Sequence, residues 1–403
     1  MTSSQAAVPG KSVPVKDRAT QLHILQNAKM AKSAHAYVRG NTVQFYEWLE
    51  ASHGWAIPQG PAVWICGDCH LGNLGPLADS DGRVQVQIRD LDQTVIGNPA
   101  HDLIRLALSL ATVARGSDLP GITTVRMVEA LMEGYEAAFP ENDEPLPEKP
   151  RVAKLVMKKA VRRTWKQLAH ERIEGVDPVI PRGKRFWPLA RDERKAIDAL
   201  LATPAISALV TRIKGRADDG HVKVLDAAYW RKGCSSLGRL RYAVLVDVDG
   251  GTVNDDDLCL IDIKEATRAA APHAPGMAMP RHHGRRVVEG AKRLSPGLGE
   301  RMCAATLLDR PVFVRELLPQ DLKLEIEHVG RGQAIKAARF LAMVIGHAHC
   351  RQMDAATRRA WRKELQRNRS KTLDAPSWLW SSVLDLLAEH ERYYLEHCRR
   401  YVL

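Results

Sequence analysis

Two short runs hold most of the side chains able to do chemistry. The first, WICGDCHLGNLG at residues 64 to 75, places Asp68, His70 and Asn73 in a turn after the apolar strand AVWIC, residues 62 to 66. The second, RVQVQIRDLDQ, alternates Val84, Val86 and Ile88 with polar residues, so Asp90 falls in phase with the apolar face and Asp92 follows two residues on. An isolated buried carboxylate costs several kcal/mol, so Asp90 needs a cation, a metal or hydrogen-bond donors. With Asp68 and the amide oxygen of Asn73 across the hairpin, these hard oxygen ligands suit Mg²⁺ and a proton-transfer site. The bland alternative is that Asp68 and Asn73 only shape a turn and Asp90 only ends a strand.

The first run also contains Cys66, Cys69 and His70 in the CxxCH spacing of covalently attached haem. That parse requires an exported chain. The start, MTSSQAAVPGKSVPVKDRATQ, has no apolar signal core, and no apolar run of about 18 residues follows it. The seven cysteines are scattered and odd in number, which fits reduced thiols. A structural zinc site needs a second Cys or His pair, and His282, His283, His347 and His349 lie far away in the chain. The expectation is a cytoplasmic protein with no membrane segment.

The 403 residues, 45% of them apolar, suffice for two or three domains around a large core. Net charge is +12, and 15 basic residues fall between Lys149 and Lys195. Such a block could contact nucleic acid or another polyanion. A solvated helical face is the favoured reading, because no aromatic interleaving or nucleic-acid motif accompanies it.

Periodicity places the two runs within a larger order of elements. Residues 1 to 16 read as disordered and 17 to 53 as two helices. GNPAHDLIRLALSLATVARG starts a helix with Asn98 as N-cap, Pro99 at the first helical position, and a stripe of Leu103, Leu106, Ala107 and Leu110. The helical lobe is expected over 17–220, with the candidate site at 61–115 and the basic helical segment at 149–215. A β-rich lobe follows over 221–330, in which LRYAVLVDV and LCLIDIKEA flank the loop DGGTVNDDD. Helices over 331–403 return to the helical lobe.

GDCHLGN followed by RDLDQTVIGNPAHDL resembles the catalytic segment of aminoglycoside phosphotransferases and other protein-kinase-like enzymes, GDxHxGN then IDxxxxxxGDPxxDL, in register over nearly forty positions. The resemblance implies that Asp68 is the catalytic-loop base, that Asn73 and Asp90 are metal ligands, and that Asp102 is the buried acid clamping the catalytic loop through its backbone amides. The family's usual HRD-type histidine is not matched, since Cys66 and Gly67 precede Asp68.

A kinase also needs a cover for the phosphates and a lysine to meet them. YWRKGCSSLGRLRYAVLV supplies a turn holding Gly233, Ser236 and Gly238, LIDIKEA supplies Lys264, and the next helix supplies Glu289 as a possible partner for that lysine. Glu289 could equally pair with Arg285 or Arg293.

Ordinary kinases place the glycine loop first, whereas here it comes about 165 residues after Asp68. The implied fold is therefore α+β, protein-kinase-like and two-lobed with permuted lobe order. MAKSAHAYVRG, GxxSLGxxRY, IKEA, RRVVEGAKRL, FVREL and GHAHCRQMD, in this order, resemble the bacterial family of the domain of unknown function numbered 2252, from about residue 28 to the C-terminus. That family supplies no substrate, and Arg39, Arg241, Arg315 and His349 sit in its motifs without an assigned role.

The expected function is ATP- and Mg-dependent phosphoryl transfer to a small-molecule or protein hydroxyl. The rivals are nucleotidyl transfer on the same scaffold and a degenerate binding protein that recruits a polyanion through its basic segment.

Overall fold

The computed structural model describes residues 15–51, 57–117, 119–139, 149–173, 179–212, 221–234, 236–248, 258–324, 330–367 and 375–401. Three helices open the chain, α1 (Val15–Met30), α2 (Ala34–Gly40) and α3 (Thr42–Ala51), where the pattern predicted two. Ser33 explains the extra break: its Oγ accepts the backbone N–H of Ala36 and caps α2. Val15 and Lys16, expected to be disordered, belong to α1.

Strands β1 (Val63–Ile65), β2 (Leu74–Ala78), β3 (Val84–Ile88) and β4 (Val95–Gly97) then form two small antiparallel pairs, β1 with β4 and β2 with β3. The candidate runs are the connections between these pairs. Helices α4 (Ala100–Gly116) and α5 (Gly121–Glu136) follow. The α4 boundary lies one residue later than expected, with Pro99 at the cap, while Asn98 Oδ1 still accepts the N–H of Ala100. Almost every residue of α4 is buried, which makes it the central rod of the helical core.

The basic segment forms α6 (Arg151–Val161) and α7 (Trp165–Ile173), then a two-residue strand β5 (Phe186–Trp187), α8 (Arg191–Leu201) and α9 (Pro204–Thr211). Next come β6 (Val222–Trp230), β7 (Arg241–Val248), β8 (Leu258–Glu265), α10 (His283–Leu294), the short α11 (Pro296–Gly299), β9 (Met302–Leu307) and β10 (Arg310–Leu317). The order β5-β6-β7-β8-β10-β9 makes one antiparallel six-stranded sheet. The chain ends in α12 (Arg331–Cys350), α13 (Ala355–Gln366) and α14 (Ser377–Tyr401), and α12 and α14 pack on α5 and α4. The expected loop DGGTVNDDD and the disorder expected over residues 1 to 14 fall outside the described residues.

This is an α+β protein. The sheet is covered on both faces. Ile197, Leu201, Ile206 and Val210 of α8 and α9 pack on one face, and Trp165, Leu168 and Ile173 of α7 on the other. These helices therefore pack on the sheet.

Strand alternation fixes what each face carries. On β8, Cys259, Ile261 and Ile263 point toward α8 and α9, while Leu258 and Leu260 point toward α7. The next two residues on the α7 face are Asp262 and Lys264. On β7 the same face runs from Leu245 through Ala243 to Arg241, and β7 and β8 register Arg241 opposite Lys264. On β10 it runs from Leu317 to Arg315, opposite Asp262. One end of this sheet face is thus ionic and the other apolar, and a one-residue slip would bury the charges under α8 and α9.

Candidate functional site

The turn after β1 is held from behind. Asp102, in the first turn of α4, accepts the N–H of Cys66 at 2.7 Å and of Gly67 at 3.0 Å. Its Oδ2 lies 3.2 Å from Nε2 of His349, whose Nδ1 lies 3.0 Å from the Tyr135 hydroxyl, which in turn accepts from Trp361 Nε1 at 3.1 Å. Asp102 and His349 are completely buried, so four elements meet in one closed polar network. Gly67 adopts φ +75°, and a Cβ there would come within 2.1 Å of the Gln93 carbonyl oxygen. Only glycine allows the two runs to lie this close.

Asp68 projects from this turn. Its Oδ1 accepts from Arg105 Nε at 3.1 Å and Nη2 at 3.0 Å, and its backbone carbonyl accepts Nδ2 of Asn73 at 2.9 Å. Its Oδ2 lies 3.9 Å from His70 Nε2. Burial, with Arg39 and Arg105 adding repulsion, holds His70 well below its ordinary range, so the ring is neutral. The Asn73 amide oxygen is left as that side chain's available acceptor.

The second centre joins segments remote in sequence. Lys264 Nζ lies 3.3 Å from Asp90 Oδ2 and closer still to Asp92 Oδ2. Lys264 is buried, whereas the Asp90 side chain keeps 43% of its surface exposed toward a cleft. The strand phase placed Asp90 on a buried face; the chain leaves β3 at Ile88, and the carboxylate turns to the opening instead. Arg286 of α10 fixes the loop by donating to the carbonyls of Asp92 (2.8 Å), Thr94 and Thr267.

Burial alone would raise Asp90, but Lys264, Asp92 and the nearby Arg315 and Arg241 together hold it well below the usual carboxylate range. Asp92, raised by burial first and by Asp90 second, is pushed up to about 6. Its Oδ1 is buried without a hydrogen-bond partner. Beside this centre, fully buried Asp262 takes both Arg241 (2.9 and 2.6 Å) and Arg315 (3.2 and 3.0 Å). Burial disfavours its charge, yet the two guanidiniums hold its carboxyl far below the ordinary value.

Between the helical core and the ionic end of the sheet lies a cleft of about 450 Å³. Asn73 and Asp90 line it from one side, Arg241 and Arg315 from the sheet, and Gly233 with Lys232 from the β6–β7 turn. Asp68 stands just behind the wall, with 11% of its side chain exposed.

Residues 18–400 match the family described as uncharacterized protein conserved in bacteria, DUF2252. The chain belongs to this family. No curated protein and no solved structure matches the chain. No helix among the described residues of this DUF2252 protein is long and apolar enough to cross a membrane.

Several residues singled out in the sequence do not meet the centre. Glu289, expected to pair with Lys264, points outward from α10 and pairs with Lys292 at 3.5 Å, while Asp90 and Asp92 take the lysine. Gly233 lines the cleft at φ +98°, its carbonyl pinned by Lys29 Nζ at 2.8 Å, but Ser236 and Gly238 do not line it. Ser236 Oγ packs against Gly233, 2.3 Å from where a Cβ would stand. Cys66 and Cys69 are free thiols inside the helical core, which leaves no open face there for a macrocycle.

Among the described residues, no three His, Cys, Asp or Glu side chains gather to hold an ion. The donor set here is two carboxylates and one amide. Magnesium is commonly held by one or two carboxylates together with substrate phosphates, and the orphaned Asp92 Oδ1 and open Asp90 fit that mode.

Sequence reasoning missed Arg105, the His349–Tyr135–Trp361 chain and the Arg241–Asp262–Arg315 triad. The triad left a signal: Arg241, Asp262 and Arg315 each continue an apolar strand face.

Proposed function

We propose that this protein is an ATP- and Mg-dependent phosphotransferase with a kinase-like arrangement of permuted lobes, the six-stranded sheet acting as the nucleotide lobe. The observation that carries the reading is the meeting of Lys264 with Asp90 and Asp92 beside a cleft, across more than 170 residues of chain. Asp102 closing on the amides before Asp68 supports it independently.

Asn73 Oδ1, Asp90 and Asp92 would hold the metal, and Lys264, released from the acids, would meet the α and β phosphates. Magnesium, when bound, neutralises charge on the phosphates. The acceptor oxygen forms a bond to the γ phosphorus while the bond from that phosphorus to the β–γ bridging oxygen breaks, its electron pair leaving on ADP. The acceptor's proton passes to Asp68, whose Oδ2 is not engaged by Arg105. Neutral His70 stands beside that oxygen without competing for the charge.

A second reading, a nucleotide or polyanion binder on the same scaffold, draws on one observation: Asp68 lies behind the cleft wall and is tied to Arg105. Two measurements decide. ATP with Mg²⁺ should raise the melting midpoint by more than ATP alone, and no rise at saturating nucleotide ends the phosphotransferase reading and the nucleotide binder, leaving only a polyanion binder. Asp90→Ala should then cut ATP turnover by at least about two orders of magnitude with the fold retained. Wild-type turnover in that variant would refute the assignment, and absence of turnover in the wild type with intact nucleotide binding would favour the binder.

A further inference from the structure

The cleft holds more positive charge than a nucleotide needs. Among the described residues, Lys29, Lys32, Arg39, Arg89 and Lys232 all line it, and none has a carboxylate within ion-pair reach. Lys29 and Arg89 donate only to carbonyls, of Gly233 and Asp321. Lys232 sits 4.0 Å from the Trp230 ring centroid, with burial and Arg241 depressing its charged form. Arg39 leaves its buried Nε without a partner. Lys29, Lys32, Arg39 and Arg89 thus concentrate positive charge around about 450 Å³ whose lining carries only Asp90 and Asp321 as acids, and an entering anion would relieve their mutual repulsion. A magnesium-bound nucleoside triphosphate brings only about two net negative charges.

The surplus is not uniform. Lys32 and Arg39 come from the α1–α2 side. The Arg39 guanidinium carbon lies 3.2 Å from where a Cβ on Gly72 would stand, against the turn that presents Asp68 and Asn73. Lys232 and Gly233 come from the β6–β7 turn, which Lys29 of α1 joins to the same side through the Gly233 carbonyl. Arg39 therefore stands beside the turn from which Asp68 projects, and Lys32 lines the same cleft.

We propose that the acceptor is itself anionic: a small hydroxyl compound carrying a phosphate group, seated by Lys32 and Arg39. This rests on the phosphotransferase reading and names its substrate class. The planar Arg39 fork suits a phosphate, and the cleft volume suits a small molecule rather than a nucleic acid strand.

The test uses the full chain saturated with Mg²⁺ and a non-hydrolysable ATP analogue, so that the nucleotide phosphate sites are filled. Inorganic phosphate is then titrated against sodium chloride of matched ionic strength while the melting midpoint is followed. A further rise with phosphate is expected. In Lys32→Gln and Arg39→Gln the apparent phosphate affinity should fall about tenfold. Lys32 is exposed, so its variant keeps the test valid if Arg39→Gln fails to melt cooperatively. No rise beyond the salt control in the wild type, or an unchanged affinity in Lys32→Gln, overturns the proposal. A response to phosphate without any response to the analogue would instead sink the nucleotide reading and leave the anion seat standing.

Discussion

The two polar centres flanking the cleft are built on opposite plans. Around Asp102 both carboxylate oxygens, both His349 nitrogens and the Tyr135 hydroxyl find protein partners, and solvent reaches none of the core pair. Around Lys264, Asp90 is 43% exposed, Asp92 Oδ1 has no partner, and two like charges share one amine. A closed network fixes geometry, because every partner lost leaves a buried group unsatisfied. An incomplete one can exchange its partners for those of a ligand. The first centre holds the turn still, and the second leaves a carboxylate open to the cleft.

This contrast is broken most directly at Asp102. Asp102→Ala strands two backbone amides and His349 in the core, and should destabilise the protein by roughly 3–5 kcal/mol in chemical denaturation. The opposite centre should tolerate Asp90→Ala at a small fraction of that cost, since its carboxylate already faces the cleft. Comparable losses at both positions would erase the distinction between a clamp and a binding wall.

The clamp can be probed without mutation. Burial holds His101, next to Asp102, at about 4, and His390 of α14, near Arg105, at about 3, both below the ordinary histidine value of about 6.5. Below that value the unfolded chain takes up protons that the folded chain refuses. Stability contributed by the neutral rings is therefore complete above about pH 6.5 and is lost as pH falls toward 4 and 3. Unfolding free energies from urea titrations between pH 7.5 and 5 should drop, by up to about 2 kcal/mol for each ring at pH 5. Replacing His390 by Gln should flatten the decline, and an unchanged slope would mean that this ring titrates normally.

How much of each centre could be read from the chain follows from the range of the forces involved. Asp68, Asn73, Asp90 and Asp102 lie within 35 residues, and turn chemistry, strand phase and a helix start locate them. Lys264 was singled out only as the strand-end lysine that the kinase-like resemblance requires, and its acid partners, 172 and 174 residues away, were not foreseen. Arg105 was not: it sits inside an apolar helix, where an arginine usually runs out to solvent, and its burial depends on Asp68 arriving from another element. The role of His349, which stood in a motif, and the part of Trp361 were hidden for the same reason. The packing of α7, α8 and α9 on the sheet was not legible, because their patterns are ordinary amphipathic ones, and a pattern states that a face is buried without stating against what.

The smallest effect is expected at Glu289, and it sharpens the comparison most. Its carboxylate is 46% exposed and pairs with Lys292 three residues away, so Glu289→Gln should change stability by no more than about 0.5 kcal/mol. Turnover should likewise be preserved, because Lys264 takes its orientation from Asp90 and Asp92. A large loss of turnover would require α10 to rotate when ligand binds and carry Glu289 inward. That rotation is obstructed: Arg286 on the same helix donates to three carbonyls around the 92–94 loop, and Gly290 packs so closely that a Cβ there would lie 2.4 Å from Thr94. Turnover that depends on Glu289 would therefore mean that the Lys264 centre is reached only through a rearrangement of α10, whereas a silent substitution places the working partner of Lys264 in the acid pair it already holds.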